Sequence, residues 1–208
     1  MTEGASEPSR TLEVERKYDV DAGTPLPDWR GVAVVDAVTD GELRELDARY
    51  FDTAGADLAH AGVALRRRTG GPDAGWHIKG PRAGDGRVEI AWPLGERDAI
   101  PDAVAEALAG WTTAPLTPLA RIENSRTAYL LTGRDGVVAE FVDDRVRATD
   151  LRQDVQREWR EWEVELGPAA PADESGREAL FSAIEEVVFA AGARPAASDS
   201  KLARALGF

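Results

Sequence analysis

The sequence predicts a mainly antiparallel α+β fold in which strands close into a barrel with a charged lumen, with a few helices packed outside. Three observations carry that expectation. At least five segments alternate charged with bulky apolar residues, the period-two pattern of a strand with two unlike faces. Their charged faces are almost purely Glu, Arg and Lys, where an ordinary solvated face mixes in Thr, Ser and Gln. Turn residues separate the segments at short intervals, so neighbouring strands connect as in a meander.

After a small, polar stretch over residues 1–10, read as a disordered tail, a single domain is expected over residues 11–208. In its first strand Glu13, Glu15 and Lys17 share one face, with Leu12, Val14, Tyr18 and Val20 on the other. Val32 to Val38 and Glu42 to Phe51 read as strands joined at Asp40-Gly41, a strong hairpin signal. A short helical turn at Asp57 to His60 precedes a strand over Val63 to Arg68, where Arg66 and Arg68 share a face. Gly75 to Lys79 and Arg87 to Pro93 are strands separated by a Gly-rich loop, Gly80 to Gly86. Pro101 to Leu108 is a helix with proline in its first turn, where its missing N–H costs little.

Leu119 to Arg121 and Thr127 to Leu131 read as strands, and Gly133 to Gly136 as a turn into Val137 to Asp143, continuing through Arg145 to Ala148. Arg157 to Leu166 alternates Glu161, Glu163 and Glu165 with Trp162, Val164 and Leu166. Ser175 to Ala191 is an amphipathic helix, with Leu180, Ile184, Val187 and Val188 on one face. Ser198 or Asp199 caps a last helix through Leu206.

With 208 residues and 43% hydrophobic content, the chain can bury a substantial core. A net charge of −13 argues against general binding to nucleic acid or an anionic membrane. The absence of cysteine excludes thiolate catalysis and thiolate metal sites, and fits a cytoplasmic setting. Two histidines do not make a histidine-rich metal site. No stretch is long and apolar enough to span a membrane as a helix.

Clustered carboxylates beside clustered Arg and Lys call for a ligand of both signs, because burying like charges is costly. A polyphosphate with divalent cations meets that demand. Its oxygens suit Arg and Lys, and hard cations suit carboxylates.

Glu13-x-Glu15-x-Lys17, Tyr50-Phe51-Asp52-Thr53, Leu65-Arg66-Arg67-Arg68, Trp76-x-x-Lys79, Arg87-x-Glu89, Glu163-x-Glu165-Leu166 and Ser200-Lys201 occur in that order over nearly the whole chain. The ordered set resembles the CYTH family of triphosphate tunnel metalloenzymes. The resemblance implies an eight-stranded antiparallel barrel that binds triphosphate compounds with Mg²⁺ or Mn²⁺, in a family that includes triphosphatases and class IV adenylate cyclases. It assigns Lys17, Arg66, Arg68, Lys79, Arg87, Arg121, Arg126 and Lys201 to phosphate oxygens. It assigns Glu13, Glu15, Glu163 and Glu165 to metal, with Glu140 and Asp144 nearby, and makes those four glutamates and Lys17 the catalytic set. The expected partner is a small triphosphate compound, and the resemblance allows a homodimer.

Two departures stand out. Glu123 and Ser125 occupy positions often basic in the family, and Arg121 and Arg126 lie on opposite parities, so one faces outward unless the strand bulges. His77 shares the parity of Lys79, yet a solvated or structural role is the expectation for it, and His60 reads as a loop residue. Similar bacterial chains carry a second, helical and histidine-rich domain, which is not expected here. The leading functional expectation is metal-dependent hydrolysis of inorganic or small organic triphosphate with release of orthophosphate. The alternatives are a cyclase making cyclic AMP and pyrophosphate from ATP, and a non-catalytic triphosphate sensor. No purine-reading signature favours the cyclase.

Overall fold

The computed structural model of the chain describes residues 7–95, 99–198 and 200–208. Its strands are Ser9–Glu13 (β1), Glu15–Asp19 (β2), Ala37–Val38 (β3), Glu42–Asp52 (β4), Ala64–Thr69 (β5), Gly75–Ala83 (β6), Gly86–Pro93 (β7), Thr117–Gly133 (β8), Gly136–Asp150 (β9), Val155–Leu166 (β10) and Arg194–Pro195 (β11). The helices are Asp57–His60 (α1), Asp102–Leu108 (α2), Glu174–Ala190 (α3) and Lys201–Leu206 (α4). Of the tail expected at residues 1–10, residues 1–6 lie outside the described residues, and Ser9 and Arg10 already pair with Ala91 and Ile90.

All strand pairs are antiparallel, in the order β1-β7-β6-β5-β4-β8-β9-β10-β2-β11 with β3 beside β8. The mainly antiparallel α+β class is as expected, but the strand order does not confirm the eight-stranded closed barrel. The sheet has eleven strands and its hydrogen-bonded order is open. The reason lies at Val14, where one extended run changes partner: β1 pairs with β7, whereas β2 pairs with β10. The free edge of β2 is taken by β11, and β1 and β2 meet at Val14, whose carbonyl accepts from the Leu166 amide at 2.9 Å.

Two apolar clusters cover one face of the sheet. Tyr18, Phe141, Trp162 and Val164 pack against Leu180, Phe181, Ile184 and Val188 of α3. Leu65, Trp76, Ile78 and Trp92 pack against Leu58 of α1 and Val104 and Leu108 of α2. Burying each such side chain contributes about 1.5–3 kcal/mol before ordering costs. The third cluster lies on the opposite parity of the same strands: Ala48, Tyr50, Ile122, Val146 and Ala148 meet Ala205, Leu202 and Leu206 of α4. Helices were all expected outside the sheet, but α4 lies on the face that carries the charged residues.

Several local expectations change for physical reasons. Of Val32 to Val38 only Ala37 and Val38 are strand, because a 3-10 turn at Trp29–Gly31 buries Trp29 against Phe141 first. The two short strands expected within residues 119–131 are one 17-residue strand, β8, paired along its length with β9. The Gly80 to Gly86 loop shrinks to a turn at Gly84, since β6 runs on through Ala83. Ser200 caps α4 by accepting from the Ala203 amide at 3.0 Å; Asp199 lies outside the described residues. Gly70 is required at its turn: its φ is +77°, and a Cβ there would lie 1.9 Å from the Glu45 carbonyl oxygen.

Candidate active site

The face opposite α3 encloses a cavity of about 500 Å³, lined from β1, β2, β4 to β10 and α4. Alternation explains the lining: on each strand the charged parity points inward and the bulky apolar parity lies under the outer helices. Eight basic side chains line it against six acidic ones, so the cavity is electropositive within a chain of net charge −13. The basic set is Lys17, Arg44, Arg66, Arg68, Lys79, Arg87, Arg126 and Lys201. Glu13, Glu15, Glu140, Glu163 and Glu165 are among the acidic set.

Of the residues that sequence reasoning placed in the site, only Arg121 and Asp144 do not line the cavity. Arg121 lies on the outward parity of β8, forked onto Asp47 and beside Glu123, and is 40% exposed. No bulge turns it inward, because the β8–β9 register runs unbroken from Ala120 to Leu131. Asp144 sits just behind the wall, fully buried.

Asp144, Glu161 and Glu163 form a compact trio whose oxygens lie within 4.8 Å of one another. The Lys201 ammonium stands among them, 2.8 Å from Asp144, 2.5 Å from Glu161 and 2.6 Å from Glu163. Arg126 forks onto Asp144 at 2.8 and 2.7 Å and reaches Glu163 at 2.7 Å; Lys17 also pairs with Glu163. Burial would raise the Glu163 and Asp144 carboxyls, but the cations overcome it. Lys17, Lys201 and Arg126 hold Glu163 well below the usual range, and Lys201 and Arg126 hold Asp144 low. Burial likewise opposes the charge of Lys201, and Asp144, Glu161 and Glu163 raise it well above the ordinary lysine value.

The second acidic group is built differently. Glu15 and Glu165 face each other across the β2–β10 ladder, with Glu13 one step along the same face. Lys79 pairs with Glu13 at 2.6 Å and Lys17 with Glu15 at 2.9 Å. The Glu165 carboxylate has no ion pair or hydrogen bond among the described residues. It opens onto the cavity but is packed round by protein; burial, then Glu13, push it up to about 7, with Glu15 and Glu163 adding and Lys79 opposing.

Arg66 and Lys79 each reach Glu89 at 3.4 Å. Arg68 pairs with Asp73, and burial, then Arg66 and Arg126 beside it, brings its guanidinium down to about 9, still a cation at neutral pH. The Nε–H groups of Arg66, Arg68 and Arg87 are buried with no acceptor among the described residues. Guanidinium donors left over in an electropositive cavity are what an oxyanion would satisfy.

Sequence reasoning missed Arg44, Glu161 and the use made of His77. Arg44 bridges Glu42 at 2.7 Å and Glu140 at 3.2 Å; its alternation with Leu43 was a usable signal. Glu161 shares the parity of Glu163 and Glu165, so that signal was on the page too. His77 is structural, as expected: 2% exposed, its Nε2 is 2.9 Å from the Asp73 carbonyl and its Nδ1 is 2.8 Å from Glu89. It thereby fixes Glu89 beneath Arg66 and Lys79. Asp52 of the Tyr50 to Thr53 motif holds α1 instead, accepting from the Leu58 and Ala59 amides at 3.0 and 3.1 Å.

The CYTH domain model matches residues 11–189. The chain belongs to the CYTH family. It is also 40% identical over 216 residues to the uncharacterized proteins Rv2226 and MT2285 of Mycobacterium tuberculosis, a match that takes in 98% of this chain and 42% of theirs. The CYTH chain thus spans about two fifths of the length of these relatives.

Solved structures share the fold at low identity. A candidate adenylate cyclase from Bacillus halodurans superposes with TM-score 0.63 at 18% identity, covering 94% of this chain and 97% of that one. The Hippeastrum protein HpAC1, a candidate adenylyl cyclase with a dominant triphosphatase activity, gives 0.56 at 17%, covering 92% and 93%. The PH1819 protein from Pyrococcus horikoshii gives 0.57 at 17%, covering 93% and 98%. No helix of the described CYTH chain is long and apolar enough to cross a membrane.

Proposed function

We propose that this CYTH chain hydrolyses a triphosphate with Mg²⁺ or Mn²⁺, releasing orthophosphate. The observation that carries the reading is the double sign of the cavity: guanidinium donors with no acceptor among the described residues, and a carboxylate, Glu165, with no direct ion pair among them, beside Glu13 and Glu15. A ligand that brings phosphate oxygens together with a divalent cation answers both.

The donor set fits such a cation. Carboxylate oxygens are hard ligands, and Glu13, Glu15 and Glu165 crowd like charge that a dication relieves. The Asp144, Glu161 and Glu163 trio has the same chemistry but is already matched by Lys201 and Arg126. We therefore assign the metal to the first group, with Glu163 next to it. When bound, the metal supplies charge neutralisation and Lewis acidity at the phosphates.

Arg66, Arg68, Arg87 and Lys79 grip phosphate oxygens, and Arg126 and Lys17 stabilise the charge that develops as the bridging P–O bond breaks. Lys201 is assigned to the same grip through its place beside Glu163. Water attacks the terminal phosphorus, and the remaining diphosphate leaves with the bridging oxygen. Among the described residues, no histidine lines the cavity, and the Ser200 hydroxyl there is engaged in capping α4. A chain of this fold from Hippeastrum carries a dominant triphosphatase activity, so the architecture can host hydrolysis.

The test is product analysis on inorganic triphosphate, ATP, GTP and thiamine triphosphate with Mg²⁺ or Mn²⁺. Orthophosphate is the expected first product, and Glu13→Ala or Glu163→Ala is expected to abolish its release at fixed metal. Pyrophosphate with cyclic AMP from ATP would replace this reading with a cyclase, and metal-dependent binding without product would make the cavity a sensor.

A further inference from the structure

The hydrogen bonds of buried His77 do not close with one proton on its ring. Nε2 is 2.9 Å from the Asp73 carbonyl oxygen, which can only accept, so Nε2 carries a hydrogen. Nδ1 is 2.8 Å from Oε1 of Glu89. A neutral imidazole has a single N–H, already given to Asp73, and its Nδ1 would turn a lone pair toward a carboxylate oxygen. This geometry needs a second proton between His77 and Glu89.

That proton belongs to the ring. Burial would raise the Glu89 carboxyl, but the His77 hydrogen bond, Lys79 and Arg66 hold it well below the usual range, so Glu89 stays a carboxylate. The ring holds the proton loosely. Burial draws His77 below the ordinary histidine value, the Glu89 hydrogen bond opposes it, and Arg66 and Arg68 side with burial. The charged groups around the pair are Arg66 and Arg68 of β5, Asp73 of the β5–β6 turn, and Lys79 of β6, itself paired with Glu13 of β1.

The distances show what the second proton does. Charge-assisted hydrogen bonds close to about 2.7–2.9 Å. Glu89 meets that distance at His77, yet it stands 3.4 Å from Arg66 and 3.4 Å from Lys79, two of the cations assigned to phosphate. We infer that His77 is a positioning residue whose second proton draws Glu89 off Arg66 and Lys79 and leaves both to the ligand. When that proton is lost, Glu89 turns onto the two cations and the phosphate grip weakens. This rests on the triphosphate reading above and adds a pH control to it.

The chain has two histidines, so long-range NMR correlation of the histidine-labelled, ligand-free protein reads His77 directly, with His60→Gln assigning the pair. Both ring nitrogens should be protonated near pH 5, and Nε2 alone near pH 8. A ring whose proton count is unchanged from pH 5 to pH 9, or whose lone N–H is Nδ1, would overturn the inference.

Calorimetric affinity for inorganic triphosphate at fixed Mg²⁺ tests the coupling. His77→Asn keeps an N–H at the place of Nδ1 and cannot titrate. It should match the wild type near pH 5 and bind about tenfold more tightly than the wild type near pH 8, the worth of one hydrogen bond to a charged group. Taking that ratio at each pH cancels the ionisation of the ligand and of Glu165. A ratio independent of pH would overturn the coupling, and so would His77→Ala binding as tightly as the wild type near pH 5. No triphosphate binding at any pH would sink the triphosphate reading and the grip with it, whereas the NMR result decides the second proton by itself.

Discussion

Two acidic groups share strand β10 and the same inner face, yet they are in opposite electrostatic states. Asp144, Glu161 and Glu163 are gathered around the Lys201 ammonium and forked by Arg126. Glu165, two residues beyond Glu163, faces Glu15 across the ladder and has no direct ion pair among the described residues, Lys79 acting on it only from a distance. The lesson is that residue type does not identify a metal site; charge balance does. The tighter trio looks more like a metal site by distance alone, but its charge is already answered from within the chain. The looser group is where an external cation has something to relieve.

Removing the internal cation is the strongest way to test this contrast. Lys201→Met leaves three buried carboxylates short of a partner, and breaking a buried ion pair from one side typically costs about 3–5 kcal/mol. Denaturant unfolding of the ligand-free protein should show a loss of that order. Glu165→Gln should do the reverse and stabilise the protein by up to about 1 kcal/mol, since it removes a like charge directly opposite Glu15. Equal losses from the two substitutions would mean the two groups do not differ in charge balance.

The same contrast has a pH signature of opposite sign. Asp144 and Glu163 are held low, so their stabilisation is present above the ordinary carboxylate range and is lost only as pH falls through their folded values. Glu165 is raised from 4.5 to about 7, so the folded state holds its proton longer than the unfolded chain does. Stability therefore falls as pH rises across that window, by less than full linkage gives because the side chain opens onto the cavity. Metal binding needs the carboxylate free of its proton. Mn²⁺ affinity, followed by titration, should thus rise from pH 6 to pH 8 while ligand-free stability declines. The two slopes should flatten together in Glu165→Gln. A slope in the wild type that persists in that variant would remove Glu165 from the metal group.

How much of this was legible beforehand follows from what alternation can and cannot encode. Parity alone placed Glu13, Glu15, Lys17, Arg66, Lys79 and Glu163 on one face, because a strand leaves only two choices. It marked Arg121 and Arg126 as opposed without saying which was inward. That was settled by tertiary neighbours: Asp47 and Glu123 outside, Asp144 and Glu163 inside. The open strand order was not legible, because Val14 looks like any apolar strand residue and nothing local announces a change of partner there. Nor was the seat of α4. Its Leu202, Ala205 and Leu206 make an apolar face that would suit either side of the sheet, and only the apolar inner rows of β4, β8 and β9 decide which.

The smallest expected effect sharpens the contrast from outside it. Arg121 was expected to grip substrate, but it lies on the outer face with Asp47 and Glu123, all three partly exposed. Exposed ion pairs are worth about 0–1 kcal/mol, since water screens the attraction and two long side chains must be held still. The charge is also carried on the far parity of β8 from the cavity, with the strand itself between it and the phosphates. Arg121→Ala should therefore change unfolding free energy by less than about 1 kcal/mol, with triphosphate KM and kcat unaltered. Arg126→Ala, five residues on and inward, strips a fork from Asp144 and a contact from Glu163, and should disturb stability and turnover alike. If instead Arg121→Ala raised KM several-fold, β8 would have to present its other face to the ligand, and the assignment of the whole inner row Ile122, Asn124 and Arg126 would fall with it.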